Sequence, residues 1–133
     1  MYQAQRYFQA LELNKVLARL AEQANCDDSK NMALNLTPCD DFKTVKALMK
    51  KTSDAYMLSA RYTTPSLHKL KNCEAALRKS EKGSNLSLSE LMEVSAVLHN
   101  IRSVKDWRKR CEGEETSLDP LFEMLMPNRD LEN

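Results

Sequence analysis

Glycine is almost missing from this chain: Gly83 and Gly113 are the only two among 133 residues. A phosphate cradle of the Gly-x4-Gly-Lys-Ser/Thr or Gly-x-Gly-x-x-Gly kind cannot be built from them, because such loops need glycine backbone close to the anion. With only four prolines besides, turn residues are too scarce for a sheet protein with many tight hairpins. There is no Gly-x-Ser-x-Gly, no His-Glu-x-x-His and no zinc-deaminase signature. Long apolar runs are missing too, and without about 18 such residues in a row nothing spans a membrane. The opening residues Met1 to Arg6 lead into an amphipathic pattern and lack the apolar block of a signal peptide, so a cytoplasmic location is expected. Cys26, Cys39, Cys73 and Cys111 are widely spaced. A zinc site wants two close ligand pairs, so these read as reduced cysteines serving as small apolar residues. His68 and His99 are isolated, and neither is assigned a metal or a catalytic role. The adjacent acids Asp27-Asp28 and Asp40-Asp41 each precede a helix, where carboxylates satisfy free N–H groups. No catalytic, cofactor or metal residue is therefore expected in these 133 residues.

What is present is helical pattern. A chain of this length fits one domain and buries roughly two-thirds of its unfolded surface. Its 42% apolar content excludes wholesale disorder, and Leu, Ala, Lys, Glu and Met are good helix formers. Leu13, Val16, Leu17, Leu20, Ala21 and Ala24 form one apolar stripe, which predicts a helix to about residue 25, with Tyr7, Phe8 and Leu11 before it. Asp27 or Asp28 caps a brief helix ending near Leu36-Thr37-Pro38. Asp40 or Asp41 caps a longer one, with Phe42, Val45, Leu48, Met49, Ala55 and Tyr56 as its buried face. Thr64 and Pro65 open the next, which carries Leu67, Leu70, Cys73 and Leu77 to Gly83. Ser87 with Glu90 is a capping box, and Leu91, Val94, Leu98, Ile101 and Val104 then drift at nearly seven-residue spacing along a long helix. Gly113 ends it; Asp119-Pro120 starts a short helix that Pro127 stops, and Asn128 onward begins another. The expectation is an all-α fold: a bundle of about five to six helices, one long helix in its C-terminal half, and a single domain over 1–133.

Charge is nearly balanced overall, at +1, but unevenly spread. Residues 43–82 carry ten Lys/Arg against three acids, a net +7, whereas 112–133 carry seven acids against one Arg, a net −6. Either nucleic acid meets the basic part, or the two parts meet each other. Arg102, Lys105 and Lys109 share one helical face beside Trp107 and are the candidate phosphate contacts. The rival is a solvated face whose Trp107 packs on a neighbour. It is favoured, because Asp106 and Glu112 dilute the field. Lys43, Lys46, Lys50 and Lys51 invite the same two readings.

Four motifs in order carry a resemblance: Leu11-Glu12-Leu13-Asn14-Lys15-Val16-Leu17, Ala33-Leu34-Asn35-Leu36-Thr37-Pro38, Arg78-Lys79-Ser80-Glu81-Lys82-Gly83, and Leu88-Ser89-Glu90-Leu91. Their order and spacing resemble the N-terminus of the bacterial MutS-two family, the MutS paralogue without the mismatch-reading domain. Leu13 stands where that family usually has Phe, Asn14 where it has Asp, and Ser29 where a Gly commonly precedes Lys30. Thr63-Thr64-Pro65-Ser66 replaces its usual Gly-containing segment. The resemblance implies a homodimeric ATPase as parent, its helical core and lever feeding a clamp and a nucleotide domain, usually with a C-terminal Smr domain. It implies branched-DNA binding, suppression of recombination and, in some bacteria, rescue of collided ribosomes. ATP, magnesium and nuclease chemistry would then belong to other residues of the parent. The chain would be a non-catalytic helical scaffold linking the nucleotide domain to the clamp. The alternative is a stand-alone helical adaptor that binds nucleic acid or a protein.

Overall fold

Residues 10–65, 67, 70–111 and 113–132 are described by a computed structural model. The expectations for Tyr7, Phe8, His68 and Glu112 fall outside them. The described residues are all-helical, as expected, with seven helices. The chain parts into two compact units, 1–38 and 39–133.

In the first unit, α1 (Leu13–Glu22) and α2 (Asp27–Leu34) pack as a helical hairpin. Each helix buries one alanine, Ala21 and Ala33. Cys26, not Asp27 or Asp28, holds the cap position of α2, and both aspartates fall in its first turn. There they still face the positive end of the helix.

The second unit begins with α3 (Phe42–Tyr62), which Asp41 caps by accepting from Thr44 N at 2.8 Å. Its predicted buried face is a correction. Phe42, Met49 and Tyr56 are 76%, 69% and 76% exposed, and Leu48 is also exposed. What α3 buries is Leu58, with Met57 and Tyr62 beside it, because the core forms only against its last two turns.

A second correction concerns the helix expected from Pro65 to Gly83. It is much shorter: α4 runs Glu74–Glu81. Cys73 holds its cap position without a side-chain bond, and Asn72 Oδ1, one residue earlier, accepts from Glu74 N at 2.8 Å. Thr64, Pro65, Leu67 and Leu70 instead line an apolar groove of about 450 Å³ with Ile101 and Val104. Thr64 caps nothing helical.

The junction that follows behaves as its residues predict. Gly83, at φ 76°, closes α4: its N–H reaches Ser80 O at 2.8 Å, and Ser84 N reaches Lys79 O at 3.2 Å. Ser87 then opens α5 (Leu88–Arg110), its Oγ accepting from Glu90 N while Glu90 Oε2 accepts from Ser87 N at 2.7 Å. These bonds, led by the Ser87 N–H, bring the Glu90 carboxyl down to about 2. Lys79 on α4 also reaches Glu90 Oε2 at 2.9 Å, tying the two helices across the turn.

Two short helices, α6 (Asp119–Glu123) and α7 (Arg129–Glu132), return along α5 and pack on it. The core of this unit is Leu58, Trp107 and Cys111, closed by Met57, Tyr62, Leu118 and Phe122. Trp107 Nε1 donates to Thr63 O at 2.8 Å, so the indole is buried with its polar edge satisfied. Cys111 is almost fully buried, and burial pushes its thiol up, which suits a packing role. Leu98 lies half-buried on α5. No described helix is long and apolar enough to cross a membrane.

Candidate functional site

The basic stretch of α5 occupies its last three turns, and the acidic C-terminal segment lies against it. Arg102 grips Glu132 with two parallel bonds, Nε to Oε2 at 2.8 Å and Nη2 to Oε1 at 2.6 Å. The Glu132 side chain is only 9% exposed. Hydrogen bonds from Arg102 hold its carboxyl down to about 2, against the upward push of burial and with help from His99. His99 Nδ1 lies 3.0 Å from Glu132 Oε1 and 3.1 Å from Arg102 Nη2. A neutral ring with Nδ1 unprotonated accepts from the guanidinium there, and a protonated one donates to the carboxylate.

Lys105 serves differently. Its Nζ donates to Leu125 O at 2.9 Å and Phe122 O at 3.2 Å, placing a cation at the carbonyl end of α6. Arg108 Nη2 meets Asp119 Oδ1 at 2.6 Å, its Nη1 meets Cys111 O at 2.9 Å, and its guanidinium lies 5.7 Å from the Phe122 ring centre. Asp119 is kept below the usual carboxylate range chiefly by the Thr116 N–H, and Arg108 adds to this.

On the α3 side, Asp54 Oδ2 accepts from Ser117 N at 2.8 Å and Ser117 Oγ at 2.6 Å, and Arg61 pairs with Glu114. The Ser117 hydroxyl is the main reason that the Asp54 carboxyl is lowered. The C-terminal segment is thus fastened to both α3 and α5.

The three candidate phosphate contacts therefore share one helix but not one situation. Arg102 and Lys105 are committed to the segment that folds back on them. Lys109, 73% exposed and 3.8 Å from Asp106, points into solvent. A phosphate at Arg102 would have to displace a carboxylate that already fills both of its forward N–H groups. Asp54, Asp119 and Glu132 were missed as partners. For Asp119 and Glu132 the −6 of residues 112–133 was the signal, since a charge excess of that size on a short segment must be answered nearby or by solvent, whereas Asp54 lies in the basic part and carried no such signal. Among the described residues, no cluster of three His, Cys, Asp or Glu could hold a metal ion.

No protein-family model matches the chain. Relatives do. An Endonuclease MutS2 of Lachnospira eligens is 30% identical over 115 residues, which are 86% of this chain and 14% of that protein. The Endonuclease MutS2 of Agathobacter rectalis is 28% identical over 124 residues, covering 92% of the chain and 16% of the relative. That of Acetivibrio thermocellus is 29% identical over 126 residues, again 92% and 16%. The chain spans about one-sixth of the length of the curated relatives it matches. Over the stretch it shares with them, this chain belongs to the MutS-two family, to which its four ordered motifs had pointed.

Proposed function

We propose that these residues are a non-catalytic helical scaffold of a MutS-two-type protein acting in DNA repair and recombination control. In that setting the scaffold links a nucleotide-hydrolysing domain to the part that clamps nucleic acid. The observation that carries the reading is the kinship over about nine-tenths of the chain with proteins about six times longer. The long helix supports it mechanically. α5 is held at its start by the capping box and Lys79, and at its end by Trp107, Arg108 and Arg102. A helix fixed at both ends passes on a displacement that a loose one would absorb.

On this reading, ATP and magnesium are bound by other residues of the parent, which acts as a homodimer on branched DNA or on collided ribosomes. Nucleic-acid contact by the scaffold itself would fall first to Lys109 and then to Arg102 and Lys105. Replacing all three by Ala should then weaken binding and flatten its salt dependence.

The test is an activity assay on the purified chain with ATP, magnesium and a four-way DNA junction. Neither ATP hydrolysis nor strand cleavage is expected. Turnover that co-purifies with the chain and disappears on substitution of its own residues would overturn the scaffold reading.

A further inference from the structure

Ser95, His99 and Arg102 follow one another by four and three residues along α5, which sets them on one face of the helix. All three meet Glu132. Arg102 Nε and Nη2 hold its two carboxylate oxygens in parallel, His99 Nδ1 lies 3.0 Å from Oε1, and Ser95 Oγ donates to its backbone carbonyl at 3.0 Å. A guanidinium fork with a ring nitrogen and a hydroxyl beside it is a cradle for an oxyanion. The field around it is positive, since residues 94–110 carry five Lys/Arg against Asp106 alone, a net +4. Asp106, one turn beyond Arg102, pairs loosely with Lys109 at 3.8 Å.

The piece that fills the cradle is held differently from the rest of its segment. Residues 114–122 are anchored by Leu118 and Phe122 at the core, by Ser117 on Asp54 and by Asp119 on Arg108. α7 is four residues long, none of them is buried, and Leu131 is exposed. Its grip on α5 is therefore mainly polar, and another anion can replace such a grip with little apolar surface uncovered. Arg102 is 32% exposed even with α7 seated, so a competing anion can reach it. We infer that this face of α5 is a phosphate site and that Glu132 is its built-in competitor. With α7 seated the site is closed; when α7 lifts, a phosphate group takes the place of the carboxylate. The inference rests on the reading that α5 meets phosphate, not on the scaffold role. It adds His99 and Ser95 to that contact and makes the contact regulated.

The experiment uses the whole 133-residue chain and a fluorescein-labelled DNA single strand of about 20 nucleotides, read by anisotropy. Glu132→Gln should bind the strand roughly threefold to tenfold more tightly and steepen the salt slope by about 0.7, the share of one added phosphate contact. The gain should vanish when Arg102→Ala is added, because the freed fork is then gone. Asp130→Asn removes the same charge from an exposed position of α7 and should gain much less, which separates an opened site from a less acidic chain. Helical circular dichroism on each variant separates changed binding from changed folding. In the unaltered chain, saturating strand should shift the Leu131 and Glu132 amide resonances, a readout that needs no variant. Inorganic phosphate, set against chloride at equal ionic strength, identifies the source: stronger displacement by phosphate supports a site for any phosphate group, and equal displacement supports one that needs the strand. Glu132→Gln binding no more tightly than the unaltered chain overturns the inference. So does an equal gain from Asp130→Asn, unmoved α7 resonances, or no binding by either chain. If Arg102, Lys105 and Lys109 changed together to Ala leave binding as it was, with or without Glu132→Gln, the contact itself falls; if they weaken it and Glu132→Gln adds nothing, only the competitor falls.

Discussion

Two residues bear most of the strain and order in the second unit. Among the described residues Trp107 is the one aromatic in the buried core, and its N–H is answered by Thr63 O. Trp107→Ala should therefore cost about 3 kcal/mol or more, read as a lowered denaturation midpoint, because it leaves both a cavity and an orphaned carbonyl. Thr63 itself sits at φ 64° and ψ 150°, a conformation that suits glycine and not a β-branched residue. Thr63→Gly should raise stability by about 1 kcal/mol; a loss would mean that the position is not strained. Glu132 gives a pH signature. Its carboxyl lies at about 2 in the folded chain against an ordinary 4.5. A depressed value means that its ionised form stabilises the fold at neutral pH, and that this contribution fades as pH drops from about 4.5 towards about 2. Glu132→Gln should be less stable than the parent chain at pH 7, with the gap closing in acid. Equal stability at pH 7 would show that the Arg102 pair contributes nothing.

Among the elements, the α4–α5 junction was the most legible in the sequence and α3 the least. A glycine followed by a Ser-x-x-Glu box has few other uses, because each residue satisfies a backbone group that a helix end leaves bare. Ser87→Ala should cost about 1 kcal/mol and Gly83→Ala about the same, the latter through its positive φ, both measurable by thermal melting. Periodicity showed correctly that α3 is a helix, but it could not say which apolar stripe meets the core. Two stripes compete there, and tertiary packing chose Leu58 over Phe42 and Met49. Leu67 and Leu70 misled for a similar reason. They fit a helical period, yet they line an apolar groove with α5 and neither lies in a helix. Local spacing is silent about such non-local gains.

For the molecule as a whole, the charge distribution was legible as an imbalance but not as a set of pairs. The −6 segment is answered by ion pairs from Arg61, Arg102 and Arg108, while Lys105 bonds its backbone carbonyls; of these four only Arg61 belongs to the basic part that had seemed its natural partner. Two of the three residues marked as phosphate contacts thereby help to fasten the C-terminal segment. Their removal should loosen the fold as well as any binding, so binding assays on Arg102 variants need a folding control. In the proposed scaffold, the same fastening would make α5 a rigid member. That rigidity is most directly measured by spin labels introduced as non-natural residues at positions 89 and 109, near the two ends of α5, and read by pulsed dipolar spectroscopy. One narrow distance distribution near ~30 Å is predicted for an unbroken helix of that span. A broad or two-peaked distribution would contradict the scaffold account, since a helix that bends or frays cannot carry motion from one domain to another.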